Sequence, residues 1–303
     1  MQETKESSYL SQRDNHPTSS AASISAAAPA ASHGFLKSHF APAFFFLPAE
    51  RRRALQTVYA FFRVLDDAVD VAGQNPVPFL EAWRVVLRDA RPDAVRSWGK
   101  EDLAAELLST VRRFQVPAFA LMDFIDKGVA VDLHENRFET PMDTERYCYG
   151  VAGTVGIACL PIFGVPVEEG KDFAVRLGVA VQWVNTIRDV GIDATMNRIY
   201  LPQDHLSQFG CSEADILAGR ETPAFKELIR HEAQVAWSHY RRAQELLPRK
   251  WAKELRPARI MGGIYMDLLT KIERQDFPVF TRRVALNIVE KAVSTWRALR
   301  NGI

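Results

Sequence analysis

Cysteine is scarce in this chain of 303 residues, with three in all: Cys148, Cys159 and Cys211. An odd count without a CxxC pair argues against a disulfide framework and a thiolate zinc site, and for a reducing, cytoplasmic compartment. An excess of one charge is also lacking. Lys and Arg number 38 against 37 Asp and Glu, so no bulk attraction to nucleic acid or an acidic membrane is expected. There is no GxGxxG, no Walker loop and no GxSxG, which removes the usual signatures of nucleotide binding and serine acyl transfer. Long apolar runs are missing. The nearest candidate, "VAGTVGIACLPIFGVPV" at 151–167, is broken by Gly153, Gly156, Pro161, Gly164 and Pro166. A bilayer span wants about 20 apolar residues, so a buried core helix is expected there. Sustained strand alternation, Asn-Gly or Asp-Gly hairpins and internal repeats are absent as well.

What remains is helical. Apolar residues make up 47% of the chain, ample for a core. Leu55, Val58, Tyr59, Phe62, Leu65 and Val69 fall at spacings of three and four, the mark of one buried helix face. Pro48 is placed to start that helix and Gly73 to stop it. "TPAFKELIRHEAQVAWSHYRRAQELLP" is a second long amphipathic run, with Thr222 as its cap and Pro223 in its first turn. Further helices are expected near 76–91, 100–115, 117–133, 143–163 and 170–194, and over "ARIMGGIYMDLLTKIERQDF" at 258–277 and "PVFTRRVALNIVEKAVSTWRAL" at 278–299. The first 33 residues differ: polar, then Ser/Ala-rich "SSAASISAAAPAAS". They read as a disordered tail at 1–33, and Glu3, Glu6 and Asp14 weigh against a transit peptide. Residues 34–303 read as one all-α bundle.

Two acidic helices carry the chemistry. "VLDDAVD" places Asp66 and Asp70 four residues apart behind "YAFF". On an α-helix that is about 400°, so both side chains share a face, while Asp67 lies about 100° away. Two carboxylates some 6 Å apart at an effective dielectric near 20 repel by roughly 3 kcal/mol. A hard divalent cation removes that cost, and magnesium characteristically bridges carboxylates to a substrate phosphate. A second stretch repeats the pattern: Gln182, Asn185, Asp189 and Asp193 step along one face of a helix otherwise made of Val181, Val184, Ile187 and Val190. A polar stripe on an apolar helix calls for a wet, charged interior pocket. Arg63 and Arg188 each precede an acidic cluster, where a guanidinium suits phosphate oxygens. A lone DxxxD is more often a solvated face; two of them, one with Asn and Gln in line, favour a site.

"YAFFRVLDDAVD", "YCYGVAGTVG" and "NTIRDVGIDATMNRIYLP" resemble the squalene/phytoene synthase family, whose members condense prenyl diphosphates head to head. The resemblance runs from about Phe35 to Leu299, and "ARIMGGIYMDLLTKIERQDFPVFTRRV" is similar to the bacterial branch, near hopanoid-type presqualene diphosphate synthases and bacterial phytoene synthases. It implies an isoprenoid-synthase fold around a central cavity, with two or three magnesium ions on Asp66, Asp70, Asp189 and Asp193. Arg63, Gln182, Asn185 and Arg188 are implied at the diphosphate end, and Tyr147 near the reacting carbons. Val151, Ala152 and Gly156 are implied to make room for prenyl chains, Phe40 and Phe44 to line the cavity, and Tyr265 and Arg283 to complete the phosphate end. The chain departs from the family at "SHFAPAFFFLP", and where "GVAVDL" replaces a methionine-containing pattern with Val129 and Val131.

The expected reaction joins two farnesyl diphosphates into presqualene diphosphate and could run on to a squalene-type product; the alternative is phytoene synthesis from two geranylgeranyl diphosphates. NADPH use is left open. A terpene cyclase would carry a Ser and Glu in its second motif, and a chain elongase a second DDxxD; neither is present. A non-catalytic assembly protein on the same fold is the other alternative. The expected partners are prenyl diphosphates and no nucleic acid, with transient membrane-surface contact for a monomer or weak dimer that is cytoplasmic or peripheral to a membrane. Asp132 is read as facing the cavity or closing a helix, His134, His205, His231 and His239 as surface groups, Trp183 as packing, and Cys148 and Cys159 as apolar filler. Asp66→Ala or Asp189→Ala is expected to abolish turnover with little loss of fold, since removing a carboxylate relieves repulsion.

Overall fold

A computed structural model describes residues 47–70 and 75–301, with the side chains of Asp70 and Asn301 excepted. Phe40, Phe44, Gly73 and the tail lie outside the described residues. Twelve α-helices dominate those residues, the isoprenoid-synthase fold that the sequence motifs imply. They are α1 (Ala49–Asp70), α2 (Val77–Asp89), α3 (Glu101–Phe114), α4 (Ala118–Asp123), α5 (Pro141–Cys148) and α6 (Thr154–Phe163), then α7 (Val167–Thr195), α8 (Gln203–Phe209), α9 (Glu213–Leu217), α10 (Pro223–Leu246), α11 (Arg256–Arg274) and α12 (Ile288–Asn301).

α7 is the axis. Phe173, Ala174, Leu177, Val179, Ala180, Val181, Trp183, Val184 and Ile187 are all buried, so the helix is apolar around most of its circumference and belongs at a core. α6, α10 and α11 pack on it. The caps follow the sequence. Thr222 Oγ1 accepts from Phe225 N–H at 3.1 Å and starts α10. Thr140 and Asp143 exchange bonds at 3.2 and 3.1 Å in a capping box that starts α5.

Two expected helices prove to be composite. The stretch near 117–133 divides into α4, a π-helical turn (Phe124–Val129) and a 3-10 turn (Val131–Leu133); the stretch near 143–163 divides into α5, a π turn (Tyr149–Gly153) and α6. The π turns cross each other where Gly128 meets Gly150. The run Pro141–Phe163 is long and apolar enough to cross a membrane by length and composition. It buries Thr154, Ile157, Ala158, Leu160, Ile162 and Phe163, as expected of a core helix. The all-helical expectation misses one feature: Arg137–Phe138 (β1) pairs in parallel with Ile199–Pro202 (β2). That pair delivers Phe138 and Tyr200 to the site below.

Candidate active site

The acidic end of α1 is loosely held. Arg63 bonds Asp66 at 3.3 Å and Asp67 at 2.6 Å, and all three side chains are about half exposed. Such surface pairs contribute well under about 1 kcal/mol, so Arg63 exchanges partners readily. Asp67, about 100° from Asp66 around the helix, shares its arginine. Asp70 ends the helix. Tyr59, one turn before Arg63, has its phenol pushed up by burial and drawn down by Arg63, with Tyr265 of α11 among the groups that raise it further.

The stripe on α7 is tightly held. Asn185 donates to Gln182 at 3.1 Å, and the buried Asn185 Oδ1 has no hydrogen-bond partner. Asp189 is gripped twice. Arg188 Nε donates to it at 2.8 Å and a second Arg188 nitrogen closes the fork. Arg283 adds a second fork at 2.8 and 3.0 Å from the segment between α11 and α12. Burial raises the Asp189 carboxyl, but the two guanidiniums outweigh it and hold it below the usual carboxylate range. Asp193, one turn on, is pushed up to about 7 by burial and by the Asp189 charge. Tyr265 is 4% exposed; burial raises its phenol, and bonding to Asn185 and Arg188 opposes that.

These donors fit a divalent cation. A buried amide oxygen with no hydrogen-bond partner and a carboxyl raised by burial and a neighbouring carboxylate are hard oxygen ligands of the kind such a cation takes. Arg283 has a side chain 56% exposed, against 7% for Arg188, so it is the one free to leave Asp189 for an incoming anion.

Beside the stripe stands an aromatic wall. Tyr147 of α5 and Tyr200 of β2 stack at 5.0 Å and 13°, and Phe138 of β1 packs 5.0 Å from Tyr147. Val131 and Val151 close the cluster. Asp132, in the 3-10 turn, accepts from Tyr147 at 3.1 Å and from Tyr200 at 2.8 Å. Its role is to anchor two phenols. Burial raises the Tyr147 phenol well above its ordinary value, and the Asp132 charge adds to the shift. Asp193 and Tyr200 line one small cavity together with Arg198, which joins wall and stripe in one site. Tyr200 is a site residue that sequence reading did not single out, although it stands inside "NTIRDVGIDATMNRIYLP".

Of the positions implied to make room for chains, Val151 and Ala152 are half-buried, and Val151 borders the wall. Gly156 serves helix approach as well: a Cβ there would lie 2.8 Å from Ala174 O on α7.

The histidines correct the sequence reading. His134 is exposed, but His205 sits against Glu232, 2.6 Å from Nδ1 to Oε1, with side chains 12% and 0% exposed. Glu232 also accepts from Trp183 Nε1 at 2.9 Å, so Trp183 is a hydrogen-bonded anchor for the back of α7 as well as packing. His231 meets His205 edge-on at 4.6 Å. Potential ligand atoms of His205, His231 and Glu232 lie within 4.8 Å of one another. His239 has an 11% exposed side chain and lies 3.0 Å from Arg176. Sequence spacing could not reveal these contacts, because the partners come from α7, α8 and α10. Cys148 is buried and Cys159 half-buried; burial raises both thiols, Cys159 to about 12, in keeping with apolar filler.

Comparison with known proteins agrees with this geometry. The family described as squalene/phytoene synthase matches residues 37–290. A phytoene synthase of Arthrospira platensis is 31% identical over 268 residues, covering 84% of this chain and 83% of that protein. The chloroplastic phytoene synthase 1 of Arabidopsis thaliana is 32% identical over 250 residues, which are 80% of this chain but 58% of the relative's length. Among solved structures, squalene synthase HpnC from Alicyclobacillus acidocaldarius superposes with a TM-score of 0.67 at 27% identity, covering 78% of this chain and 89% of that one. A dehydrosqualene synthase in complex with ligand gives 0.78 at 24% identity, with coverage of 89% and 94%, and bears on the fold alone.

Proposed function

The chain belongs to the squalene/phytoene synthase family, and from that premise we propose that it joins two prenyl diphosphates head to head, with farnesyl diphosphate as the substrate. The observation that carries this reading is the stripe Gln182–Asn185–Asp189–Asp193, polar within an otherwise apolar helix and flanked by two arginines and an aromatic wall. Asp66, Asp70, Asp189 and Asp193 would hold magnesium, which when bound supplies charge neutralisation to a departing diphosphate. Arg283 moves from Asp189 to the phosphate oxygens, and Arg63 does the same from Asp66 and Asp67. The donor's C1–O bond breaks and its diphosphate leaves. The C2=C3 pair of the second prenyl chain attacks the allylic cation, a proton is lost, and a cyclopropyl C30 diphosphate results. Tyr147, Tyr200 and Phe138 turn aromatic faces and an apolar surround to the cation, and Asp132 fixes both phenols.

Tyr147→Phe keeps the ring and removes its tether. It is expected to lower kcat by about tenfold to a hundredfold with little change in KM, and Asp132→Asn, which loosens both phenols, is expected to do the same. Wild-type kinetics in both variants would remove the wall from the mechanism.

The decisive assay supplies C15 and C20 diphosphates separately to the purified chain, with and without magnesium. Diphosphate release and product mass are then measured. A magnesium-dependent C30 product from the C15 donor is expected. The phytoene synthase relatives at 31–32% identity favour a second reading, in which the C20 donor yields a C40 product. Release from neither donor would leave a non-catalytic assembly role and end the condensing reading.

A further inference from the structure

Glu232 of α10 is buried without a lysine or arginine to balance it. Its side chain is 0% exposed, and among the described residues its polar partners are His205 of α8 and Trp183 of α7. Buried carboxylates are paired with cations or ligate metals. His205 Nδ1 lies 2.6 Å from Glu232 Oε1, and Trp183 Nε1 donates to Oε2 at 2.9 Å. His231, the neighbour of Glu232 on α10, completes the group. Its ring meets His205 edge-on at 4.6 Å and Phe209 at 5.1 Å. One ligand atom from each of His205, His231 and Glu232 lies within 4.8 Å of the others.

We propose that His205, His231 and Glu232 form a binding site for a zinc-class transition metal ion, separate from the acidic magnesium set. Two imidazoles and a carboxylate are the donors such an ion takes, whereas magnesium prefers oxygen alone. Bonds of about 2.0–2.1 Å set the donor atoms of a tetrahedral site about 3.3 Å apart. The His205–Glu232 pair therefore opens by about 0.7 Å, and the half-buried His231 ring closes by about 1.5 Å at most. Water takes the fourth position, on the solvent side of His231. Trp183 acts as the outer partner of a metal ligand, since its N–H holds Oε2 and leaves Oε1 to the imidazoles. The ion supplies the positive charge that the buried carboxylate lacks. Around α7, Trp183 lies about 100° from Gln182 and about 160° from Asn185. The metal thus sits behind the helix that carries the stripe, where it ties α8 to α10 and, through Trp183, to α7.

The test is metal binding by the full-length chain, without a histidine tag and stripped with chelator, in buffer with excess magnesium to occupy the acidic set. Zinc is expected to bind at one ion per chain and to raise the melting temperature by roughly 5–10 °C at a hundredfold excess over its Kd. Cobalt(II) in its place is expected to give the intense visible absorption of a tetrahedral ion, not the weak band of an ion with six oxygen ligands. His231→Ala keeps the His205–Glu232 pair. It is expected to weaken zinc binding by about a hundredfold or more and to erase the cobalt band, while the metal-free melting temperature stays at the wild-type value. His205→Gln repeats the loss of affinity from α8. A wild-type chain that neither binds zinc stoichiometrically nor gains melting temperature with it overturns the proposal. So does binding of wild-type strength in both variants. Binding that is lost in Asp66→Ala and kept in His231→Ala also overturns it, because the zinc would then sit on the acidic set.

Discussion

Asp189→Ala is expected to abolish turnover and to destabilise the protein, whereas Asp66→Ala is expected to abolish turnover at nearly unchanged stability. The two aspartates look equivalent in the sequence, and relief of like-charge repulsion was the expectation for both. The structure separates them. Asp66 is half exposed and meets Arg63 at 3.3 Å, so its loss costs well under about 1 kcal/mol. Asp189 pairs with Arg188, whose side chain is 7% exposed. Removing the carboxylate leaves a buried guanidinium without its anion, a change that costs on the order of 3 kcal/mol. Thermal unfolding should show a fall of roughly 6–12 °C for Asp189→Ala and about a degree for Asp66→Ala. Equal melting temperatures would mean that the double arginine grip is not what holds Asp189. Near-normal diphosphate release in either variant would remove that residue from the proposed metal set.

Among the described glycines, Gly150→Ala is expected to be the most damaging addition of a single methyl group. A Cβ at Gly150 would lie 1.9 Å from Lys127 O and 2.3 Å from Lys127 C. Both are backbone atoms of the facing π turn, so no side chain can swing away. Separating the turns would pull apart the segments that carry Asp132 and Tyr147, and the expected cost is about 3 kcal/mol or more. The control is Gly263→Ala in α11, where the added methyl meets nothing nearer than Ala298 Cβ at 3.8 Å. There the gain in helix propensity should stabilise by up to about 1 kcal/mol. Soluble expression and denaturant midpoints of the two variants check both. A Gly150→Ala protein as stable as wild type would contradict the close crossing of the π turns.

Much of this was legible in the chain because it is local. Spacings of three and four place Gln182, Asn185, Asp189 and Asp193 on one face whatever surrounds them, and α7 spans Val167–Thr195 where a helix over 170–194 was expected. Thr222 and Pro223 start α10 as read. The breaks inside 117–133 and 143–163 were not legible. A π turn stands out only once Gly128 and Gly150 press together, and neither glycine identifies the other from its own neighbours. The β1–β2 pair was missed for a similar reason, because strands of two and four residues are too short to show a period of two.

The sequence by itself determined the helical class, the two acidic motifs and the family, because each depends on residue type and short-range spacing along one chain. Tertiary structure decided who neutralises whom. Arg283 reaches Asp189 across 94 positions, Tyr200 reaches Asp132 across 68, and Glu232 holds Trp183 across 49. It also decided that α12 faces outward with its apolar side, where Ile288 is 83% exposed and Trp296 57%. Charge pairing, burial and exposure are properties of through-space distance, and helical periodicity fixes which side of a helix is apolar without fixing which side meets the protein.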